Sequence, residues 1–479
     1  MDWIRDRFKF LKRSRRNFTF SKGIETALYR NINGQRFPSL PESELERLRI
    51  KWGTFLEKVS SLEGVESSSG NKVEILESLD TIEPMISAID SAVERVWVET
   101  YIFDDSESVA RRITDALIRA KKRGCDVVVI MDYIGSLAYP WRKELEGLDI
   151  PVVLFNPFPW SHYLDSEIPK SVGPVPFRDH RKLLIADGVG FCGSMNLQGD
   201  VLAREGEEFP RFYDLNARIE GPAVSHLGNV FIDSLDESKV GISRQPFPPP
   251  IAKGNSFVQV LQSNVKKQRR AIQKALGSQI KAADSEVLVA SSYFMPPGFL
   301  KRALLSSRKK RCKILVSGTT DFFPVPGDLM AQTHALSRFI NRGPQTTVHL
   351  YSRSHMHAKF TAVDNLFVQL GSYNFDRFSA RRNLESSVAV FDSEIAAKVS
   401  DIHNRLCRES TLATDDGVYF KNPIARLFCW LAYFVAKTSG RNVFDGFDAY
   451  SSDKTDNGGS RRRPRFFGQP DLVAIGLKL

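Results

Sequence analysis

Two short stretches of the chain set a lysine two residues after a histidine and an aspartate five after the lysine: His180, Lys182 and Asp187, then His357, Lys359 and Asp364. Each is trailed by a Gly-Ser-x-Asn run, Gly193-Ser194-Met195-Asn196 in the first case and Gly371-Ser372-Tyr373-Asn374 in the second. With eight histidines in 479 residues, one H-x-K-x4-D pattern arises by chance about 0.03 times. Two, each followed by GSxN at nearly the same offset, are far rarer, so the pair is an internal duplication with a shared purpose.

If Arg181 to Ala186 is extended, as the run Lys182-Leu183-Leu184-Ile185-Ala186 suggests, a histidine and a lysine two apart lie on one face and meet one ligand. Phosphodiester chemistry without a metal needs a nucleophile, an acid for the departing alkoxide, and positive charge around the transition state. One copy is too small a set, but two facing copies supply all of it. One imidazole attacks phosphorus to give a phosphohistidine; the other protonates the leaving oxygen and then deprotonates the incoming water or alcohol. Lys182 and Lys359, with Asn196 and Asn374, are expected to hold the nonbridging oxygens. The hydroxyls of Ser194 and Ser372 fall within reach of the same oxygens. The sequence shows neither Asp-rich clusters nor His/Cys ligand spacing, so no metal and no cofactor is expected. The other histidines, His162, His226, His334, His349, His355 and His403, have no partner at motif spacing and read as ordinary surface or core residues.

The elements that must position these groups repeat as well. Val96 to Phe103 reads as a strand, a helical segment runs to Lys121-Lys122-Arg123-Gly124, and Val127 to Met131 is the next strand. In the second copy Val287 to Phe294 is a strand, Phe299 to Lys310 a helix and Arg311 to Val316 a strand. This alternation predicts α/β layers with largely parallel pairing, each half a sheet flanked by helices. The expected organisation is a basic N-terminal segment plus helix over 1–70, ending at the cluster Ser67-Ser68-Ser69-Gly70, a first half over 71–245, and a Pro-rich linker over 246–256. A second half over 257–410 and a C-terminal extension over 411–479 complete it. Glu42 to Val59 has apolar residues at helical spacing.

The composition is that of a folded globular protein, with 42% hydrophobic and 26% charged residues. The net charge of +11 is unevenly placed: residues 1–36 contribute +7, residues 461–479 contribute +4, and 37–460 sum to zero. A groove that tracks nucleic acid should make the body basic, so no nucleic-acid partner is expected. Five cysteines without a C-x-x-C pair fit a reducing compartment. No stretch reaches the roughly 18–20 apolar residues needed to span a bilayer, and the first residues lack the apolar core of a secretory signal. Trp3-Ile4, Phe8 and Leu11 lie near one helical face among Arg5, Lys9, Lys12, Arg13, Arg15 and Arg16. They suit a helix on anionic lipid, with a transit peptide, opposed by Asp2 and Asp6, or a solvated tail as alternatives. Leu427 to Ala436 suits a helix in the headgroup layer or a core helix of the second half. Asn156-Pro157-Phe158-Pro159-Trp160 suits either an aromatic loop dipping among acyl chains or a packed loop.

The paired HKD motifs resemble those of the phospholipase D superfamily, over about residues 72–405. Tyr293-Phe294-Met295-Pro296, Arg218-Ile219-Glu220-Gly221-Pro222-Ala223 and Phe177-Arg178-Asp179-His180-Arg181-Lys182-Leu183 are similar to segments of its cardiolipin synthase branch. The resemblance implies two mixed β-sheets flanked by helices, packed as a pseudo-twofold pair around one shared active site. It implies His180 as nucleophile and His357 as acid, with the catalytic set completed by Lys182, Lys359 and the motif aspartates Asp187 and Asp364, the latter two as structural support. It also implies an acidic residue after each GSxN that orients an imidazole: Glu385 matches, and Asp214 matches more weakly. Many members carry two N-terminal transmembrane helices, and this chain is expected to have none.

The activity implied is a phosphatidyltransferase that makes cardiolipin from phosphatidylglycerol and a second phospholipid, releasing a head-group alcohol. A hydrolytic phospholipase D releasing phosphatidic acid is the alternative, and a nuclease with the same histidines is the alternative of another class. Partners are then phospholipid substrates and an anionic phospholipid membrane. The expected location is the cytoplasmic face of a cell or organelle membrane, held peripherally. The oligomeric state is not readable from the chain.

Overall fold

In the computed structural model the described residues are 20–202, 208–306, 310–319, 327–340, 345–416 and 418–439. The basic segment 1–19, on which the expectation of an interfacial helix falls, and the tail beyond 439, which carries the second share of positive charge, lie outside them.

The β-branched runs form strands in two series. The first comprises β1 (Val65–Glu77), β2 (Arg95–Thr100), β3 (Asp126–Asp132), β4 (Val152–Phe155), β5 (Arg178–Asp179), β6 (Leu183–Ala186), β7 (Val189–Gly193), β8 (Phe212–Tyr213) and β9 (Leu215–Glu220). The second comprises β10 (Ser256–Asn264), β11 (Arg269–Arg270), β12 (Glu286–Ser291), β13 (Arg311–Ser317), β14 (Thr346–Tyr351), β15 (His355–Met356), β16 (Phe360–Val363), β17 (Phe367–Gly371), β18 (Asn383–Phe391) and β19 (Thr411–Leu412). Across the first sheet the order is β4-β3-β2-β6-β7-β9-β1. Across the second it is β14-β13-β12-β16-β17-β18-β10.

The two orders match strand for strand, so the duplication seen in the motifs extends through the whole layer. Within each seven-strand order parallel pairing is confined to three strands, less than the helix alternation suggested. The tight link at Asp187-Gly188 joins β6 to β7 as a hairpin, and a hairpin needs no crossover helix.

Alternation along β2 shows how each sheet is covered on both faces. Trp97 stacks on Phe231 of the helix Ala223–Ser238 at 5.2 Å. Val96 and Val98 turn to the opposite face and join Ile89, Ile113 and Leu117 of the helices Ile82–Ser91 and Arg112–Lys122. The second sheet repeats this with the helices Ala271–Ala282 and Gly298–Ser306 against Val287 and Val289.

The expected break at Ser67–Gly70 falls inside β1. That strand pairs through Val65–Asn71 with β10 and through Lys72–Glu77 with β9, with a register irregularity between Ser68 and Asn71. Small residues mark a bulge where the strand passes from one sheet to the other, and Gly70 takes φ +85° there. The segment before it also belongs to the second half: Trp52, fully buried in the helix Glu42–Ser60, lies 5.4 Å from Phe55, 6.0 Å from Phe367 and 5.7 Å from Phe391. The Pro-rich stretch forms no regular element but is tied to the first sheet. Phe247 is buried 5.7 Å from Trp97, with the Arg95 guanidinium 4.3 Å from its ring.

Candidate active site

Each motif histidine stands where its chain enters the first antiparallel strand beyond the parallel trio, at the C-terminal ends of β2 and β12. There Glu99 faces Leu183 and Ala290 faces Phe360. Residues 180–182 and 357–359 lie outside regular structure, just before β6 and β16, so the strand expected from Arg181 begins at Leu183. The backbone partner of each histidine comes from the other half. The His180 N–H donates to the Leu384 carbonyl (3.0 Å), and the His357 N–H donates to the Tyr213 carbonyl (2.9 Å). β5 runs parallel to the start of β18, and β15 runs parallel to β8.

The side chains follow the same exchange. His180 Nδ1 is 3.1 Å from Glu385, and His357 Nδ1 is 2.7 Å from Asp214. Both carboxylates are wholly buried, so each imidazole carries its proton on Nδ1 and leaves the Nε2 lone pair free. Asp214 and Glu385, one a weak match in the sequence, therefore stand in equivalent places. Burial pushes both carboxyls up, but the adjacent imidazole and the serine hydroxyl outweigh it and hold both below the usual range.

Ser194 and Ser372 are not free to bind a phosphate. Ser194 Oγ donates to Asp214 at 2.6 Å and accepts from the Leu215 N–H. Ser372 Oγ donates to Glu385 and accepts from the Ser386 N–H. The expectation of phosphate-binding serines is corrected: a hydroxyl between a buried carboxylate and a strand amide is consumed in fixing that carboxylate. The asparagines differ. Asn196 and Asn374 are buried, with their side-chain Oδ1 atoms unpaired; toward a phosphate oxygen only their Nδ2 N–H groups can donate, while the Oδ1 atoms can accept from a hydroxyl or a water.

Lys182 and Lys359 turn back on their own histidines, Lys182 Nζ donating to the His180 carbonyl (2.7 Å) and Lys359 Nζ to the His357 carbonyl (2.5 Å). Burial lowers the Lys182 ammonium to about 8 against the pull of Glu385, Asp179 and Asp214, so it remains largely charged near neutrality. Burial, then the nearby lysines, bring His180 and His357 down to about 4. Lys359 contributes to the first and Lys182 to the second, which places the two copies in one electrostatic site.

Asp187 and Asp364, grouped with the catalytic residues on motif grounds, carry no contact to the imidazoles. Asp187 accepts from the N–H groups of Val93, Glu94 and Arg95, and Asp364 from those of Asp284, Ser285 and Glu286. Each sits roughly 20 Å of extended chain beyond its histidine and fixes the start of the strand that ends at the site. Their positive φ, +49° and +53°, suits the Asx side chains of a tight turn.

Several neighbours carry no signal at motif spacing. Tyr101 packs its ring 5.1 Å from His180 and 5.3 Å from Lys182 Nζ. Phe212 lies 5.3 Å from His357 and 5.5 Å from His355. His355 is buried and bonds Ser292 (2.9 Å) and Ser317 (3.0 Å), so it packs beside the site rather than in a remote core. In the first half Arg178 takes its place, paired with buried Asp132 at 3.0 Å. Arg181 points away from the site and is wholly buried. It donates to Ser234 (2.6 Å), Gln262 (2.9 Å) and the Val230 carbonyl (3.1 Å), anchoring the motif to the helix behind it. Among the described residues no group of three or more His, Cys, Asp or Glu is placed to hold a metal ion.

Burial of neutral imidazoles makes stability pH-dependent. His180 and His357 sit near 4 and His403, bonded to the Val289 carbonyl at 3.1 Å, near 3, whereas an unfolded histidine titrates near about 6.5. Between those values the unfolded chain takes up protons that the folded chain refuses, so stability is lost as pH falls from about 6.5 toward 4. The thermal midpoint should drop between about pH 7 and pH 5, and His403→Gln, which keeps a donor for Val289, should flatten part of that slope. A constant midpoint over this window contradicts the burial argument.

Two matched α/β halves that exchange carboxylates across one two-histidine site define the duplicated phospholipase D-type fold. The family described as "Cardiolipin synthase, PLD-like domain" matches residues 85–215 and 276–407, and the chain belongs to it. Cardiolipin synthase 1 of Bacillus anthracis is 26% identical over 331 residues, covering 66% of this chain and 62% of that protein. The match thus spans less than two thirds of that relative's length. Cardiolipin synthase B of Shigella flexneri is 24% identical over 364 residues, covering 72% of this chain and 83% of that one. The crystal structure of phosphatidylserine synthase from Haemophilus influenzae Rd KW20 aligns with a TM-score of 0.61 at 15% identity, over 81% of this chain and 98% of its own, a likeness of fold.

Proposed function

We propose that the protein is a phosphatidyltransferase that makes cardiolipin through a phosphohistidine. The observation that carries the reading is the pair of carboxylate-oriented imidazoles, each with Nε2 free, beside two lysines. His180 Nε2 attacks the phosphorus of a bound phospholipid, the P–N bond forms, and the bond to the head-group oxygen breaks. His357, protonated once the phosphodiester anion is bound beside it, gives its proton to that oxygen. The free hydroxyl of a phosphatidylglycerol then loses its proton to His357 and attacks phosphorus, releasing His180. The second half-reaction thus restores to His357 the proton that the first one spent, and the cycle closes. Lys182, Lys359, Asn196 and Asn374 steady the nonbridging oxygens. The cardiolipin synthases among its relatives support the choice of lipid, and the enzyme acts as a peripheral protein on an anionic bilayer.

The test is mass spectrometry of lipids after incubation with phosphatidylglycerol vesicles, with and without phosphatidylethanolamine. Cardiolipin plus free glycerol is expected from phosphatidylglycerol alone. Phosphatidic acid as the sole product replaces this reading with hydrolysis, and cleavage of DNA lost in His180→Ala replaces it with nuclease chemistry.

A further inference from the structure

The helix Pro423–Ser439 is apolar on nearly every side yet is packed along only one. Its buried stripe centres on Cys429 and on Tyr433, whose ring lies 4.8 Å from His334 of the helix Gly327–Leu336. The remaining surface presents Leu427, Phe428, Trp430, Leu431, Phe434 and Val435, between 41% and 63% exposed. A helix apolar all round is ordinarily enclosed, and a patch of this kind marks a docking surface.

Cations crowd one flank of the helix, while Asp416, paired with Lys421 at 3.6 Å, lies just before its start and Asp328 opens the helix packed along it. The Arg377 guanidinium donates to the Lys437 carbonyl (3.3 Å) at the end of the helix. Burial, then Arg338 and Lys437, lower the ammonium of Lys301; burial, then Arg381, lower the guanidinium of Arg377. Neither these five nor Arg426 forms an ion pair with a carboxylate among the described residues. Natural surfaces usually intersperse both signs, so cations crowded beside apolar side chains await an anion outside the chain.

The patch also borders the site. Met295 and Phe378 line a surface cleft with Tyr433 and Lys437. The Met295 N–H donates to the carbonyl of Phe375, the residue after Asn374, and Tyr293 packs 6.0 Å from His355. In the first half the loop after β4 ends in Trp160, Tyr163 and Leu164, exposed by 55%, 82% and 83%. It is anchored through Phe158, 5.6 Å from Tyr133, the residue after Asp132. Both apolar elements thus lie at the strand ends where the histidines stand.

We infer that the helix Pro423–Ser439, with its flanking cations, is an interfacial element that seats an anionic phospholipid surface against the mouth of the site. The inference rests on the reading of the substrate as a bilayer lipid and adds the surface through which that lipid is reached. Apolar side chains enter the headgroup layer while Lys301, Arg338, Arg377, Arg381, Arg426 and Lys437 meet lipid phosphates.

The test is flotation of the full chain with phosphatidylcholine vesicles, with or without phosphatidylglycerol. Phe428→Asp with Phe434→Asp, at exposed positions that leave packing intact, should weaken binding to phosphatidylglycerol vesicles by about a hundred-fold. Lys301→Glu with Arg338→Glu should erase the preference for phosphatidylglycerol, and both should leave circular dichroism and turnover of a short-chain, monomeric lipid unchanged. Unaltered flotation in both variants overturns the inference. So does loss of flotation only on deleting residues 1–36, or a wild-type dimer that the phenylalanine variant dissociates while flotation persists. A chain that floats through this helix but forms no phosphatidyl product leaves the surface standing and removes the proposed function instead.

Discussion

His180→Asn yields a folded chain that forms no covalent lipid adduct and transfers phosphatidyl groups about 10⁴-fold more slowly or worse. The asparagine amide can still donate to Glu385, which also keeps Ser372 and Asn383 as partners, so the buried carboxylate is not left as an unpaired charge. What disappears is the Nε2 lone pair. A lipid radiolabelled in its phosphate, quenched in base where phosphohistidine survives, labels the wild type and not His180→Asn. His357→Asn should still accept label from a phosphatidyl ester of p-nitrophenol, whose oxygen departs without a proton, and then stall. Label in His180→Asn and none in His357→Asn would exchange the two roles.

Crossed effects are expected from Glu385→Gln and Asp214→Asn, each slowing transfer by about 10²–10⁴-fold. Glu385 lies in the second half and serves the histidine of the first; Asp214 lies in the first and serves the histidine of the second. An amide in place of the carboxylate favours the tautomer with hydrogen on Nε2. In Glu385→Gln this removes the nucleophile, so adduct formation falls with either leaving group. Asp214→Asn disables the acid, so the p-nitrophenyl ester forms adduct normally while a glycerol leaving group does not. If both variants respond equally to both leaving groups, the two histidines do not divide the work in this way.

Much of this site was legible because it is written twice. The H-x-K spacing and the order of strands and helices around it repeat, so Lys182 and Lys359 could be placed beside their histidines from pattern alone. The exchange of carboxylates was not legible, since spacing within a half says nothing of a partner in the other. Asp214 was the harder of the two: it stands 20 residues beyond Ser194, whereas Glu385 stands 13 beyond Ser372. The serines misled because a hydroxyl next to a glycine turn reads as available until the carboxylate that occupies it is known. Gly70 and its serine neighbours read as a boundary because the same residues serve loops and bulges alike. Nothing local to Trp52 names Phe367 or Phe391 as its neighbours, and that contact makes the leading helix part of the second half.

The swap of orienting groups between halves bears on how the protein is made. A ribosome that has extruded the chain as far as Pro250 has completed His180, Lys182 and the serine turn, but neither Glu385 nor the Leu384 carbonyl exists to hold the imidazole. The strand β1 likewise waits for β10 before its leading half has a partner. A nascent or truncated product therefore carries a complete-looking motif whose histidine lacks both its carboxylate and its carbonyl partner. The alignment of His180 waits for β18, the strand that carries Leu384 and Glu385.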